Sequence, residues 1–438
     1  KLINQVVLID YTIIILGGNF MLLSHKTTVE LNNAQSNIVG HMCYAASKLW
    51  NACNYERRNY KTLGLAQYPD WYYQKKVHKD NFWFKQLPAQ TSQEVCKLLD
   101  GAWKSFYKLQ KTQGILNPRP PRFKQKPMSV TLQQMGIVHE SGSDTIRLSI
   151  ARQMKEYLRS AYNIHDNYLF LKNSIFKNMD TIKQIVIYPS VKDKCEVIVV
   201  YEIPDTAIMP DNGRYLSIDP GIHNLLTCYD SATGETFIAG RRYLSICRRF
   251  DKEIARVQSQ WSMQQSRNGV KYPKSSKHIS ALQRSKKSSV RDYLHKATRA
   301  IVSYCEAQDI HTVVIGDITN IRRGKNFGSV TNQKLHALPY RKIYQLLEYK
   351  FSMKGITLIK QKESYSSQVS PLQPEVSKQY AVKSSRRHRG LYQDGDYSWN
   401  ADCVGAYNIL RLHLQEKDPA LIPDPFNIKI PYVLKVAV

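Results

Sequence analysis

The chain has 438 residues, enough for two or three domains with a sizeable core. Its 63 Lys and Arg against 35 Asp and Glu give a formal charge of +28, which favours a polyanionic partner, nucleic acid first, over an acidic small substrate. The charge is spread along the chain among 28 Tyr, 12 Phe and 6 Trp, which argues against the single basic block or basic amphipathic helix of a membrane-surface protein and offers stacking platforms for unpaired bases.

The first residues, KLINQVVLIDYTIIILGGNF, are apolar, but Asp10 interrupts them and their β-branched residues favour a strand over a spanning helix. Residues 1–20 are therefore read as an upstream or non-native extension before a start at Met21, with a membrane anchor as the alternative. A strand-like HKTTVEL follows. From about Asn33 to Asn59, Ile38, Met42, Ala45, Leu49 and Cys53 recur at helical spacing. A second helix opens at Pro88 and Thr91/Ser92 and runs Val95, Leu98/Leu99, Ala102, Phe106 and Leu109 down one face.

The segment NPRPPRFKQKP cannot be helix interior because of its prolines. It reads as an extended connector exposing Arg119, Arg122, Lys124 and Lys126, suited to phosphate contact or simply to solvation. Residues 128–205 read mostly as strands, and a small β-barrel or sheet with a helical insertion fits this order.

From Tyr215 the pattern changes to a three-strand meander, YLSIDPG, LLTCYD and TFIAG. One long basic helical stretch over about 243–308 follows, carrying Arg248, Arg249, Lys252, Arg284, Lys286 and Lys287. Then come strand HTVVIGD, a helix over 339–353, strand GITLIKQKE and a helix from Ala401. Strand, strand, strand, helix, strand, helix, strand, helix is the order of an RNase H-like fold. Residues past about Gln415, with Pro419, Pro423, Pro425 and Pro431, read as an extended cover or a mobile end.

In such a sheet the first, fourth and fifth strands lie parallel, and ligands collect at their carboxyl ends. Asp219 ends the first strand, Glu363 ends the fifth, and Asp402 starts the last helix, so the three can approach one point. Each alone has a plainer reading: a turn residue before Pro220, a solvated charge beside Lys360 and Lys362, a helix cap after Asn400. Crowded carboxylates resist ionisation unless a cation neutralises them, and hard oxygen donors point to Mg²⁺ or Mn²⁺. Two such ions would clamp the attacking water and the leaving oxygen of a phosphodiester hydrolysis. The eight cysteines, at 43, 53, 96, 195, 228, 247, 305 and 403, never fall in a C-x-x-C spacing, which argues against a structural zinc site and against a disulfide framework and fits a reducing cytoplasm.

The stretches SIDPGIHNLLTCYD, HKATRAIVSYCEAQDIHTVVIGDI, KESYSSQ and RGLYQDGDYSWNADCVGAYNILR resemble TnpB, the transposon-encoded RNA-guided nucleases. LPAQTSQEVCKLLDGAWKSFYK and RPPRFKQK are similar to that family's recognition and wedge regions. The resemblance implies an α+β multidomain chain: a β-rich wedge domain over 21–32 and 115–213, a helical recognition insertion over 33–114, a RuvC-like nuclease domain over 214–414 and a tail over 415–438. It further implies a guide RNA, a double-stranded DNA target chosen by pairing and a short adjacent motif, Mg²⁺ or Mn²⁺ at Asp219, Glu363 and Asp402, action as monomer or dimer without a membrane, and a nucleoid-associated cytoplasmic place. Two departures stand out. The family's usual second acid precedes the Asp of HTVVIGD, where this chain has Gly316 before Asp317, and Ser370 and Gln373 stand where zinc-binding cysteines are usual, so no zinc is expected. A subgroup carries its Glu where Glu363 stands, and Asp317 is held in reserve, although its side chain should point to the opposite face. The rivals are a nuclease-inactive RNA-guided repressor and a DNA transposase.

Overall fold

A computed structural model describes residues 20–112, 115–319, 326, 328, 332, 338–388 and 390–436. The extension expected over 1–20 thus lies, except for Phe20, outside the described residues. The chain divides into two compact units, Lys1–Asp205 and Thr206–Val438. Both mix helices with sheet, so the chain is α+β.

In the first unit, strand β1 (Phe20–Glu30) leads into helix α1 (Asn33–Asn59). The helix starts where it does because Asn32 and Gln35 form a reciprocal cap: each side chain accepts the other's backbone N–H, at 2.8 and 2.9 Å. Ile38, Met42, Ala45, Leu49 and Cys53 are buried, as their spacing requires. Short helices α2 (Trp71–Val77) and α3 (Phe82–Lys85) precede α4 (Ala89–Thr112). Strands β2 (Val130–Gln133), β3 (Ile137–Val138) and β4 (Thr145–Ser149) follow. Next is helix α5 (Arg152–Tyr162), which buries Met154 and Leu158 in a stretch read from the sequence as mostly strands. Strands β5 (Tyr168–Lys172), β6 (Thr181–Ile187) and β7 (Lys194–Pro204) complete the unit.

The strands form a four-stranded sheet in the order β1-β7-β6-β2 and a three-stranded sheet β3-β4-β5, all antiparallel. Residues from both sheets and from α1, α4 and α5 share one apolar core.

The second unit is built on a six-stranded sheet. Strands β8 (Tyr215–Asp219), β9 (Leu226–Asp230) and β10 (Thr236–Ala239) form the expected antiparallel meander. The long helical stretch is two helices, α6 (Tyr243–Arg267) and α7 (Lys277–Ala307), not one. Between them Gly269 takes φ +73° and Pro273 lacks an amide hydrogen, and both interrupt a helix. Strand β11 (Thr312–Asp317), helix α8 (Tyr340–Ser352), strand β12 (Thr357–Lys362), hairpin β13 (Tyr392–Asp394) and β14 (Tyr397–Trp399), helix α9 (Ala401–Lys417) and strand β15 (Tyr432–Val433) follow.

The sheet order is β12-β11-β8-β9-β10-β15. Strands β8, β11 and β12 are parallel neighbours, with Ile315 level with Ile218 and Asp317 level with Lys362, so their carboxyl ends share one edge. Alternation divides the sheet's faces. Leu216, Ile218, Val313 and Ile315 pack with α7 and α8. Tyr215, Tyr229 and Val314 pack with Ala406, Tyr407 and Leu410 of α9. The tail is tied down: Lys429 donates its amide to the Gly234 carbonyl at 3.0 Å, and β15 extends the sheet beside β10.

Candidate active site

Asp219 lies at the end of β8 with the parity of Tyr215, so it faces α9. Gly316 has the parity of Val314 and faces the same way, whereas Asp317 follows Ile315 to the opposite face. Asp317 there accepts the Thr319 amide at 2.9 Å. The reserve acid is thus turned away from Asp219.

Glu363 stands one residue past β12 and bends back over Gly316. A β-carbon at position 316 would lie 1.6 Å from Glu363 Oε1 and 2.5 Å from its Cδ. No side chain other than hydrogen fits at 316 beneath this carboxylate. On the helix side, a β-carbon at Gly405 would come within 2.5 Å of Asp219 Oδ2. Two glycines, one on a strand and one inside a helix, therefore make room for two acids.

Asp402 occupies the first turn of α9, whose entry is capped by the Asn400 side chain accepting the Asp402 and Cys403 amides at 3.0 and 3.3 Å. Its carboxylate oxygens are both engaged. Oδ1 takes a hydrogen bond from Arg386 Nη2 at 2.9 Å, and Oδ2 one from Asn224 Nδ2 at 2.8 Å.

The electrostatics fit a crowded acidic site. Burial, then the Asp402 charge, pushes Asp219 up to about 7, with Arg386 opposing. Burial, then Asp219 and Asp317, pushes Glu363 up to about 9. Glu363 Oε1 is buried and has no hydrogen-bond partner. An orphaned carboxylate oxygen beside a second acid with raised affinity for protons is a place that a hard divalent cation would stabilise. Among the described residues no three His, Cys, Asp or Glu side chains stand close enough to hold one ion as they are placed, and the Arg386 and Asn224 contacts occupy Asp402.

Asp402 opens onto a cleft of about 760 Å³. Arg241 just before α6, Arg248 on α6, Lys429 of the tail and the Trp399 ring line it as well. Trp399 stacks with the half-exposed Tyr397 at 6.0 Å, and Tyr397 meets Phe426 edge-on at 5.2 Å. Cations and the half-buried Trp399 ring thus stand beside an acid in one cavity.

Of the basic residues read from the sequence, Arg248 reaches this cleft. Arg249 and Lys252 are exposed on α6, Arg284 and Lys287 on α7, while Lys286 is tied to Asp251 at 2.5 Å. In the first unit, Arg119, Arg122, Lys124 and Lys126 are exposed on an extended strip fastened to α1. Trp50 Nε1 donates to the Arg122 carbonyl at 3.1 Å, and the Asn51 side chain brackets the Lys124 backbone at 2.7 and 2.9 Å. The sequence reading missed Asn224, Arg386 and Lys429. The run SSRRHRG, shortly before Asp402, held the signal for Arg386. The tail, read as an extended cover or a mobile end, supplies one wall of the cleft.

Where zinc ligands would be usual, α9 does the holding. Asn408 Nδ2 donates to the Ser366 and Val369 carbonyls, both at 2.8 Å. Arg411 donates to the Ser370 carbonyl at 3.3 Å and to that of Gln373.

Parts of this chain are similar to known proteins. A family model described as a probable transposase matches residues 198–322, and one described as a Cas12f1-like TNB domain matches residues 340–409. Together they fall on the stretches that carry the TnpB resemblance and bear it out. No curated protein matches the chain. Among solved structures, the Cas12f1-sgRNA-target DNA complex aligns with 86% of this chain and 83% of its own, at 14% identity and a TM-score of 0.54, a likeness of fold. The mini-RNA-guided endonuclease CRISPR-Cas_phi3 aligns with 90% of this chain and 92% of its own, at 10% identity and a TM-score of 0.43. Among the described residues no helix is long and apolar enough to cross a membrane.

Proposed function

We propose that this chain is an RNA-guided DNA endonuclease of a transposable element, hydrolysing phosphodiester bonds with Asp219, Glu363 and Asp402. The observation that carries the reading is the Glu363 carboxylate seated over Gly316. An acid delivered from β12 takes the place that a side chain on β11 would otherwise fill, on the face shared with Asp219 and the first turn of α9. The match to a probable-transposase model and to a Cas12f1-like domain, and the fold likeness to a Cas12f1-sgRNA-target DNA complex, support a guide RNA and a double-stranded target as partners. A short motif beside the target, a monomeric or dimeric assembly and a nucleoid-associated cytoplasmic place belong to the same reading, as do the wedge, recognition and nuclease domains.

The three carboxylates are hard oxygen donors suited to Mg²⁺ or Mn²⁺. Bound there, two such ions would lower the pKa of the attacking water and offset charge on the leaving 3′ oxygen. The chain's own residues do the positioning. Asp219 and Glu363 supply negative charge in a half-buried site and hold a proton when no cation offsets it. Arg386 and Asn224 fix Asp402, and the Arg386 guanidinium is suited to a phosphate oxygen once it leaves the carboxylate. Arg241, Arg248 and Lys429 attract the backbone into the cleft, and Trp399 offers a face for an unpaired base.

The test is cleavage of a DNA library in Mg²⁺ by protein purified with RNA from its own locus, comparing wild type with Asp219→Ala, Glu363→Ala and Asp317→Ala. Cutting lost with the first two and kept with the third supports the reading. The Arg386–Asp402 pair favours a second one, a guide-dependent binder that does not cut. Guide-dependent binding of a target that no form cleaves would establish it. Strand joining without RNA would instead indicate a transposase.

A further inference from the structure

The stretch HKATRAIVSY lies on α7, away from the carboxylate edge, and the site described above leaves its charges unused. His295, Lys296 and Arg299 of this stretch meet Lys350 of α8 and Lys435 of the C-terminal segment around a hollow of about 500 Å³. We propose that this hollow is a phosphate-binding site separate from the candidate active site, taking a phosphate group from a nucleic-acid backbone or from a small phosphorylated molecule.

Among the described residues four cations line the hollow and no carboxylate does. Lys296 has a partner on its own helix, Asp292, at 2.9 Å. Among the described residues Arg299 and Lys435 have no carboxylate within ion-pair distance, and both are exposed. Lys350 is partly buried. Its Nζ donates to the His295 carbonyl at 2.6 Å and to Thr298 Oγ1 at 2.7 Å, leaving one of three N–H groups for a further acceptor. Two adjacent groups are shifted by burial first and by neighbouring cations second. Burial, then Arg299, lowers Lys350 to about 8, and burial, then Lys350, Lys342 and Arg291, lowers His295 to about 4 against the opposing Asp292. Crowded cations in a partly desolvated place are stabilised by an anion.

The location separates this anion from the reaction. Helices α7 and α8 cover the sheet face that carries Leu216, Ile218, Val313 and Ile315, whereas Asp219 and α9 lie on the other. The sheet stands between the two sites. A guanidinium fork with point-charge ammonium groups around it matches a phosphate, which accepts both the two-pronged contact and the point charges.

The test uses the full chain and requires no cleavage. Thermal unfolding is followed with inorganic pyrophosphate against chloride of matched ionic strength, for wild type, for Arg299→Ala/Lys435→Ala and for the control Lys108→Ala/Lys177→Ala. All four positions are exposed, so both variants should fold. A rise of several degrees in wild type and control, absent from the Arg299/Lys435 variant, supports the site. A single-stranded RNA then identifies the source. Loss of two backbone contacts makes the slope of log K against log salt shallower by about 1.4, whereas an unchanged slope assigns the site to a small phosphorylated molecule. No pyrophosphate-specific rise, or one that survives in the Arg299/Lys435 variant, overturns the proposal.

Discussion

Glu363 fills the space that a β-carbon at Gly316 would need, its Oε1 lying 1.6 Å from that point. The relationship is exclusive: either a side chain stands at 316 or the Glu363 carboxylate does. Gly316→Ala should therefore expel the carboxylate and lower the cleavage rate about 100-fold or more, since a displacement of about 1 Å at a reacting centre has that effect. The informative variant is the exchange Gly316→Glu/Glu363→Ala, which delivers an acid from β11 instead of β12. It should recover measurable cutting relative to either single change, read as single-turnover rates on one target. If Gly316→Ala cuts like wild type, Glu363 is not the acid.

Gly405 tests the other wall. Alanine inside a helix is more favourable than glycine by about 1 kcal/mol, so by propensity Gly405→Ala would raise the melting temperature. Its β-carbon, however, would meet Asp219 Oδ2 at 2.5 Å. The expected result is a protein that folds yet has lost cleavage together with its Mg²⁺-induced stabilisation. A variant retaining both would mean that the Asp219 carboxylate has room to turn aside without cost to function.

The raised acids set a pH dependence. Asp219 and Glu363 bind protons more tightly folded than unfolded, with folded values of about 7 and 9. Below about pH 4 both states are protonated, and the two groups contribute no difference. As pH rises the unfolded chain releases its protons first, so metal-free stability falls from about pH 4 up to the folded values. Thermal unfolding in EDTA should accordingly show a melting temperature that declines between pH 5 and 9, with the rise due to Mg²⁺ growing over the same window. Glu363→Gln should flatten the decline. A pH-independent Mg²⁺ effect would place the ion elsewhere.

The sequence carried the second unit's topology because its strands are apolar, short and bounded by turn residues, and its three acids sit at strand or helix ends that parallel pairing brings to one edge. Gly316 read as a missing acid. Its meaning depended on where a side chain 47 residues further along the sequence comes to rest, which no local pattern states. Arg386 escaped for a similar reason: it sits in a loop without periodicity, and only tertiary folding carries it to Asp402. The break between α6 and α7 was legible in Gly269 and Pro273. Helix α5 was hidden among strands because only Met154 and Leu158 of it are buried.

Asn408 and Arg411 fasten one segment by hydrogen bonds. Together they hold the carbonyls of Ser366, Val369, Ser370 and Gln373, in the segment that follows Glu363. Arg411→Ala leaves buried carbonyls unsatisfied and should cost about 2–4 kcal/mol, with lysine no substitute because one guanidinium serves two acceptors. Hydrogen exchange at 365–373 should accelerate more than the global loss requires, and a zinc-selective chelator should leave the wild-type melting temperature unchanged. A chelator that lowers it would mean that a metal contributes after all.

Arg386 separates the cutting and non-cutting readings most directly. Its guanidinium holds Asp402 Oδ1 at 2.9 Å, and a divalent ion at that oxygen must compete with it. Arg386→Ala should thus lower the Mg²⁺ concentration needed for half-maximal thermal stabilisation severalfold, because the competing cation is gone. If the same guanidinium also binds the substrate phosphate, the maximal cleavage rate falls even at saturating Mg²⁺, and Arg386→Lys recovers only part of it, a point charge lacking the two-pronged contact. If Arg386 instead serves only to keep the site closed, Arg386→Ala cuts faster than wild type at every Mg²⁺ concentration. The expected outcome is the first, easier metal binding with slower cutting. The two effects are read independently, one by unfolding and one by single-turnover kinetics, so a merely unstable variant could not mimic their opposite signs.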